Sequence, residues 1–327
     1  MYNSTVRFGR TRKKEENRVG ASSLVDIFKR NESRSGFLRF LFYTARALSK
    51  RTPFRVKTAA AVLFPWRFRK FVPQVMLEVC SQCQHRCNYC SHGDMIAANP
   101  GYQLSLDELK AFIRHTEESN YFIENVLING PGEPTLWKHF NEGVRRLYES
   151  PAIGNIQLIT NGQSFDRVDD ETWQYISLVW VSVYPSSKVT TFDQVSAMSR
   201  RYGFHLILFD KIEFRVHPEH AYSNSLPAQC SCHGPMIYGN RVYPYCGPTG
   251  VGAAKLKGEP FLDSPKYSRE VGPDYLAGIN RSDLWRGETL APMKLDICSR
   301  CISNQKIPYV TITHEQTSDR YVTAQKL

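Results

Sequence analysis

Residues 75 to 90 read Val-Met-Leu-Glu-Val-Cys-Ser-Gln-Cys-Gln-His-Arg-Cys-Asn-Tyr-Cys, a short apolar stretch followed at once by thiols. Val75–Val79 predicts a buried β-strand. Cys83, Cys87 and Cys90 follow on one tight loop, separated by three and then by two residues. Three thiolates spaced in this way can each hold one iron of a cubane iron–sulfur cluster and leave the fourth iron open for chemistry. The segment therefore predicts a strand whose carboxyl end carries a metal centre.

A zinc site is the alternative that the same thiols leave open. Zinc in structural sites takes four ligands, and Cys80 or His85 is close enough in the sequence to supply the fourth. No secretory signal peptide is expected, because the N-terminus is basic and no apolar stretch follows it directly. The nine cysteines of the chain should then stay reduced, which favours metal binding over disulfide bonds.

Strands and helices alternate from residue 73 to about residue 220. Further strands are predicted at Asn125–Ile128, Ile156–Ile159, Val179–Val183 and Phe204–Leu208. Helices are predicted from a capping box at Ser105 to about Glu118, from Trp137 to Tyr148, near 169–177 and near 190–201. Such alternation forms right-handed βαβ units with a parallel sheet. The fold class is therefore α/β, either an open partial barrel or a doubly wound sheet, with its chemistry at the carboxyl ends of the strands.

Residues 221–327 break this alternation. Met236–Tyr238 and Arg241–Tyr243 flank Gly239-Asn240 and predict a β-hairpin with a two-residue turn. A loop rich in glycine and proline is expected next, followed by a short helix near 283–286 and then Cys298-Ser-Arg-Cys301.

The positive charge of the chain is concentrated at its N-terminus. Residues 1–72 hold 18 Lys and Arg against four Asp and Glu, a net charge of +14, whereas the rest of the chain has a net charge of −3. This distribution argues against a nucleic-acid-binding protein, whose folded face would be basic. The leader is expected either to pack partly on the body or to attract anionic lipid or a phosphorylated, lipid-linked substrate. The longest apolar run has eight residues, too few to cross a bilayer. The chain is therefore expected in the cytoplasm, either free or peripheral at the inner face of the membrane.

The cysteine loop resembles that of the radical SAM superfamily, the S-adenosylmethionine radical enzymes, whose hallmark is CxxxCxxC after the first strand of a partial (β/α)6 TIM-like barrel. The resemblance implies that a 4Fe–4S cluster on Cys83, Cys87 and Cys90 binds S-adenosylmethionine (SAM). It implies that an electron from the cluster cleaves SAM to a 5′-deoxyadenosyl radical, and that Tyr89 lies beside the adenine. An external electron donor such as flavodoxin or ferredoxin is implied as well.

Other residues resemble the SAM-binding positions of the superfamily. Gly130-Pro131-Gly132-Glu133-Pro134 is similar to the Gly-Gly-Glu-Pro loop, which holds the methionine ammonium group through backbone carbonyls. Pro131 replaces a glycine of that loop but keeps its carbonyl. Asn161 ends the next strand, as in many members. Ser182 is either a ribose or carboxylate ligand or a serine bonded to backbone, and Arg215 either faces the SAM carboxylate or makes a surface salt bridge.

The C-terminal cysteines resemble those of the twitch domain, the half-length form of the SPASM extension in this superfamily. The resemblance implies an auxiliary 4Fe–4S cluster on Cys232, Cys246, Cys298 and Cys301, and a zinc ribbon with the same four thiolates stays open. Cys80 and Cys230 are then left over. Each is either a small buried filler or a donor that returns a hydrogen atom to a substrate radical.

Four domains and one leading function follow from these observations. The domains are a basic amphipathic leader (1–72), a radical SAM partial barrel (73–220), an auxiliary-cluster domain of hairpin and helix (221–305) and a C-terminal tail (306–327). The expected function is hydrogen abstraction from a small sugar-like or polyol-like substrate, leading to oxidation or epimerisation, with the auxiliary cluster transferring electrons. The alternatives are a maturase of a ribosomal peptide in the same superfamily and a non-catalytic zinc or iron–sulfur protein.

Overall fold

The structure is a computed structural model that describes residues 70–85, 87, 90, 92–184, 192–210, 235–244, 248–256, 258–265 and 267–277. All of these residues lie in one compact unit, 64–327. Several sequence-based predictions fall outside the described residues: the leader up to residue 69, the helix near 283–286, the C-terminal tail, and the site residues Tyr89, Arg215, Cys230, Cys232, Cys246, Cys298 and Cys301.

One sheet forms the centre of the fold. Its strands are β1 (Lys70–Glu78), β2 (Tyr121–Asn129), β3 (Ile153–Thr160), β4 (Leu178–Val183), β5 (His205–Asp210), β6 (Met236–Tyr238), β7 (Arg241–Tyr243) and β8 (Arg269–Glu270). They form one eight-stranded sheet in the order β5-β4-β3-β2-β1-β6-β7-β8. The strands from β1 to β5 are parallel to their neighbours, β6 pairs in parallel with the other side of β1, and the last two pairings are antiparallel. The α/β class with a parallel sheet is confirmed.

The described helices connect these strands. They are α1 (Gly93–Ala98), α2 (Leu106–Glu118), α3 (Phe140–Glu149), α4 (Asp170–Tyr175), α5 (Phe192–Tyr202) and α6 (Pro248–Leu256), with short 3-10 turns at Pro134–Leu136, Phe165–Arg167 and Pro260–Asp263. The capping box is confirmed, since Ser105 Oγ accepts from the Glu108 N–H at 3.2 Å and the Glu108 carboxylate accepts from the Ser105 N–H at 2.8 Å. No helix in the described part of the chain is long and apolar enough to cross a membrane.

The five strands from β1 to β5 all step in one direction across the sheet. Right-handed crossovers that step in the same direction place their helices on the same face. The side chains on that face are buried and belong to one apolar core with the inner sides of α2 and α3, among them Val75, Leu77, Val126, Ile128, Leu109, Phe112 and Val144. This segment is therefore wound on one side only, as a partial barrel requires.

The opposite side of the sheet, here named the polar face, carries Gln74, Glu78, Asn125, Asn129, Asn155, Gln157, Trp180 and Ser182, which alternate with the core residues along the strands. Amide side chains bond to one another across it. The Asn125 Oδ1 accepts from Asn155 Nδ2 at 3.2 Å and from Gln157 Nε2 at 2.9 Å. The same face also carries the apolar side chains of Met76, Leu127 and Ile159, so polar and apolar groups are interspersed on it.

The β-hairpin is confirmed, and the structure also shows what it pairs with. Met236 pairs with Tyr243 across the hairpin, and Gly239 in its turn has a φ of +59°, which favours glycine. Pairing of β6 with β1 adds the hairpin to the main sheet. The Tyr102 hydroxyl fixes the junction, because it donates to the Glu78 carbonyl at 2.9 Å and accepts from the Gly239 N–H at 2.8 Å.

Two segments differ from their predictions. β1 begins at Lys70, so residues 70–72 belong to the sheet instead of the leader. The expected glycine- and proline-rich loop contains the helix α6. Pro248 occupies the first position of this helix, where its missing N–H leaves no bond unmade. Gly252 lets α6 approach α1, since a Cβ there would lie 2.6 Å from the Met95 nitrogen.

Candidate cofactor site at the ends of β1, β2 and β3

The loop after β1 brings three thiols close together. Burial, with a smaller contribution from the neighbouring Cys90 thiol, raises the pKa of Cys83 and of Cys87 to about 12. The Cys90 N–H donates to the Cys87 carbonyl at 3.2 Å, and the Gly93 N–H donates to the Cys90 carbonyl at 3.0 Å. The last two thiols therefore lie on a turn that runs directly into α1.

These thiols fit the donor set of a 4Fe–4S cluster. Thiols with a pKa of about 12 are protonated at neutral pH, and a coordinated metal ionises them by supplying positive charge. Among the residues that the structure describes, no three Cys, His, Asp or Glu side chains converge as the ligands of a single metal ion do. A cubane cluster requires a different arrangement, in which each of three irons takes one thiolate.

Cys80 and His85, which could complete a zinc site, make other contacts. The buried Cys80 thiol donates to the Glu133 carbonyl at 3.0 Å, and burial raises its pKa. The His85 ring lies 4.6 Å from the Tyr184 ring, between ring centroids. The position of Cys80 agrees with a buried filler that also holds the next loop, and its role as a hydrogen-atom donor stays a prediction.

The turn after β2 packs directly against the cysteine loop. The Gly132 N–H donates to the Cys80 carbonyl at 2.9 Å, and the Glu133 N–H donates to the Gln82 carbonyl at 2.6 Å. A Cβ on Gly132 would lie 2.0 Å from the Gln82 carbonyl oxygen, and one on Gly130 would lie 2.8 Å from the Cys80 carbonyl oxygen. Contact between the two loops therefore requires both glycines, whatever the loops bind.

The Glu133 side chain is buried and bonded entirely to protein groups. Its Oε1 accepts from the Thr135 N–H at 3.2 Å, from the Thr135 hydroxyl at 2.7 Å and from the Thr160 hydroxyl at 2.6 Å. Its Oε2 accepts from the Asn161 N–H at 2.7 Å. Burial raises the pKa of Glu133, and these donors act in the opposite direction. The carboxylate thus joins the ends of β2 and β3, which leaves the backbone of its turn for any contact with SAM.

Asn161 connects this carboxylate to the cysteine loop. Its Nδ2 lies 3.2 Å from Gln84 Oε1 and 3.8 Å from Cys83 Sγ, within hydrogen-bonding distance of sulfur. Its Oδ1 accepts from the Gln163 N–H at 2.9 Å. The side chain that the sequence predicts to contact SAM therefore lies beside one of the three thiols.

Ser182 and Tyr184 stand at the end of β4. Ser182 is half-buried on the polar face, in register with Phe209 of β5, and both roles predicted for it stay open.

Sequence reasoning missed Tyr184, which lies near the cysteine loop. Burial is the main cause that raises the pKa of Tyr184. The nearby Cys87, Cys90 and Cys83 thiols raise it by smaller amounts, in that order. An aromatic residue two positions beyond Ser182, at the end of a strand, was the available signal.

Glu78 is a second buried carboxyl group at this edge of the sheet, also missed by sequence reasoning. Asn129 Nδ2 donates to its Oε1 at 3.3 Å, while its Oε2 has no hydrogen-bond partner within the described residues. Burial raises the pKa of Glu78 to about 8, against the weaker lowering effect of the Asn129 amide. An acidic residue inside an otherwise apolar strand was the signal for it.

Comparisons with known proteins bear on part of the chain. The GTP 3′,8-cyclase of Haemophilus ducreyi is 32% identical to it over 118 residues, which are 36% of this chain and 34% of that one. The GTP 3′,8-cyclase of Klebsiella pneumoniae is 32% identical over 143 residues, 43% and 41% of the two chains. The chain thus spans only about a third to two fifths of the length of these curated relatives.

The fold is similar to the crystal structure of BtrN in complex with AdoMet and 2-DOIA, with a TM-score of 0.47 and 16% identity over 75% of this chain and 99% of that chain. This likeness is too distant to support an argument about the site. The family model named Radical SAM superfamily matches residues 77–185. That segment includes the three thiols of the cysteine loop, the turn after β2, Asn161 and Ser182. Residues 77–185, about a third of the chain, therefore match the Radical SAM superfamily.

Proposed function

We propose that this chain is a radical SAM enzyme. The observation that carries the proposal is the placement of Cys83, Cys87 and Cys90 on one loop after β1, against the turn after β2 and Asn161, inside the segment that matches the superfamily model. When bound there, a 4Fe–4S cluster supplies the electron that cleaves SAM and yields a 5′-deoxyadenosyl radical.

The residues of the chain bind and orient the two cofactors. The thiolates of Cys83, Cys87 and Cys90 would hold the cluster, and SAM would bind beside it. The turn after β2 offers backbone carbonyls to the methionine ammonium group. Its N–H groups at Gly132 and Glu133 already bond to the cysteine loop, so the turn is fixed before SAM binds. Tyr89, Ser182 and Arg215 are proposed to contact the adenine, ribose and carboxylate parts of SAM.

The proposed substrate is a small polyhydroxylated molecule that is oxidised or epimerised. This substrate class follows from the sequence expectation for the C-terminal cysteines. The amide groups of Asn125, Asn155 and Gln157 on the polar face already bond to one another and to the Pro73 and Glu124 carbonyls. Cys232, Cys246, Cys298 and Cys301 are proposed to hold an auxiliary cluster, which would supply electron-transfer chemistry there. The hairpin between Met236 and Tyr243 supports that cluster by bringing its two flanks together.

A purine nucleotide is the second candidate substrate. It is favoured by the 32% identity to the GTP 3′,8-cyclase of Haemophilus ducreyi, over 34% of that protein. Abstraction from the ribose of a nucleotide would use the same radical and the same cysteine loop, so the two candidates differ only in what the rest of the chain recognises.

Cleavage of SAM tests the proposed chemistry. The protein is reconstituted anaerobically with iron and sulfide, and 5′-deoxyadenosine is measured by mass spectrometry after addition of SAM and dithionite. We expect wild-type protein to form it and the Cys83→Ala/Cys87→Ala/Cys90→Ala variant to form none. Cys80→Ala is the matched control for iron content, because Cys80 is in the same stretch but is not one of the three thiols predicted to hold the cluster. Deoxyadenosine from the triple variant would contradict the proposal.

Deuterium transfer distinguishes the substrates. Deuterated polyols, nucleoside-diphosphate sugars, GTP and a peptide are each incubated with the reconstituted enzyme. The substrate should transfer deuterium to 5′-deoxyadenosine and accelerate its formation above the rate without substrate. Transfer from GTP alone would replace the first candidate with the second, and transfer from the peptide would favour a peptide maturase.

A further inference from the structure

The amide of Asn161 has a single orientation that satisfies its neighbours. The backbone N–H of Gln163 lies 2.9 Å from Oδ1, and because an N–H only donates, the amide atom that faces it must be the oxygen. The Nδ2 group therefore faces the cysteine loop. Its two hydrogens are directed at Gln84 Oε1, 3.2 Å away, and at Cys83 Sγ, 3.8 Å away.

The position of this amide is fixed by groups that do not belong to the cysteine loop. The Asn161 N–H donates to Glu133 Oε2 at 2.7 Å, and the other oxygen of that carboxylate accepts from the hydroxyls of Thr135 and Thr160. Asn161 is 8% exposed and Glu133 is 2% exposed. A donor held in place in this way does not have to reorganise when the charge on the sulfur in front of it changes.

We propose that Asn161 sets the reduction potential of the cluster bound by Cys83, Cys87 and Cys90, by donating an N–H···S hydrogen bond to the Cys83 thiolate. This inference rests on the proposed function, since it requires the 4Fe–4S cluster at that loop. Hydrogen bonds to the sulfurs of an iron–sulfur cluster contribute to its potential. Reduction adds negative charge to the cluster and its thiolates, so a donor at Sγ stabilises the reduced form more than the oxidised form.

The same sulfur also accepts from the backbone N–H of His85. That bond belongs to the main chain and is made whatever the side chain of residue 85. Asn161 is the donor to Cys83 that comes from another strand end, and substitution of its side chain removes this donor together with the bond to Gln84 Oε1. Asn161 thus acts on the cluster through the Cys83 sulfur. It also links the end of β3 to the loop after β1.

Two substitutions separate loss of the donor from loss of shape. Asn161→Leu removes both N–H donors without adding charge. Asn161→Asp has the same shape and keeps an oxygen for the Gln163 N–H, while an oxygen replaces Nδ2 beside the sulfur. Ser164→Ala is the matched control. The Ser164 hydroxyl accepts a hydrogen bond from Gln84 Nε2, so it is linked to the Cys83 thiol only through Gln84 and Asn161.

The measurement is a redox titration of the reconstituted full-length protein, followed by electron paramagnetic resonance of the reduced first cluster. We expect Asn161→Leu to shift the reduction equilibrium about tenfold toward the oxidised cluster, which is 59 mV more negative for one electron. Asn161→Asp should shift it further, and Ser164→Ala should leave it within the error of the titration. Iron content is measured for each variant so that potentials are compared only between loaded proteins.

The outcomes separate this inference from the proposed function. Wild-type protein without a reducible cluster at the cysteine loop would overturn both. A loaded Asn161→Leu or Asn161→Asp protein with the wild-type potential would overturn the inference alone. Failure of both variants to assemble the cluster would assign Asn161 a purely structural role and would also overturn it.

Discussion

The hydroxyl of Thr160 donates to the carboxylate of Glu133 at 2.6 Å, which joins the last residue of β3 to the turn after β2. The neighbouring Asn161 N–H binds the second oxygen of the same carboxylate. The Glu133 side chain thereby sets the distance between the ends of β2 and β3. The amide of Asn161, held by the same carboxylate, in turn contacts Cys83. The spacing of the candidate site therefore depends on a buried carboxylate whose two oxygens are both bonded to protein groups.

Glu133→Gln should destabilise the protein markedly. The glutamine amide would have to place an NH2 group against at least one of the donors that the carboxylate now accepts from, and hydrogen bonds to charged groups contribute about 1.5–3 kcal/mol each. We expect a loss of about 2–4 kcal/mol in the free energy of unfolding, measured by urea titration. Glu142→Gln is the control, because Glu142 pairs with Arg145 and Arg146 at the surface of α3. Equal stability losses in the two variants would contradict this role of Glu133.

Glu78 should make the stability of the protein fall as the pH rises. Its pKa is raised from 4.5 to about 8 in the folded chain, so the folded state keeps a proton that the unfolded state releases. The stabilisation is complete below pH 4.5 and is lost as the pH rises toward 8. Glu78→Gln keeps an oxygen for the Asn129 amide and cannot ionise. The free energy of unfolding of this variant should exceed that of wild-type protein by on the order of 3 kcal/mol at pH 7, and the two should converge near pH 4.5. Parallel pH profiles would contradict the prediction.

Gly132→Ala should separate the turn after β2 from the cysteine loop. The added methyl group would lie 2.0 Å from the Gln82 carbonyl oxygen, so one of the two backbones must move. We expect a loss of about 3 kcal/mol or more in unfolding free energy, together with reduced iron uptake by the first cluster. Gly101→Ala is the matched control, because a Cβ there meets nothing within 4 Å. Normal iron content and stability in Gly132→Ala would show that the two loops can separate at little cost.

Cys232→Ala should lose the auxiliary cluster, and Cys230→Ala should keep it. Met236 pairs with Tyr243, so residues just outside the two ends of the hairpin come together. Cys232 is nearer to that junction than Cys230, and Cys246 lies just beyond the other end. An iron count with electron paramagnetic resonance on each single variant provides the measurement. Loss of the cluster in Cys230→Ala alone would exchange the roles of the two cysteines.

The strands and the cysteine loop could be predicted from the sequence, because their signals are local. Apolar runs of four or five residues located the strands from β1 to β5, and the spacing of Cys83, Cys87 and Cys90 placed three thiols on one loop. The Ser105–Glu108 capping box marked the start of α2 within a single turn. In each of these cases, residues close in the sequence determine the structure.

The contacts between loops could not be predicted, because they depend on the register of neighbouring strands. The sequence shows Glu133 and Thr160 as separate residues, and only the pairing of β2 with β3 brings them together. The requirement for Gly132 comes from the Gln82 backbone of a different loop. The helix α6 was missed for a related reason: its glycines disfavour a helix locally, whereas packing of Gly252 against α1 makes them useful.

The packing of Gly252 against Met95 also sets an order of events during synthesis. α1 follows Cys90 almost directly, yet the helix that packs against it lies far later in the chain, beyond the hairpin. A ribosome that has released only the parallel strands has not yet supplied this partner, and contacts between distant residues form late. We therefore expect the cysteine loop to reach its final shape, and to accept iron, only after residue 256 has left the exit tunnel.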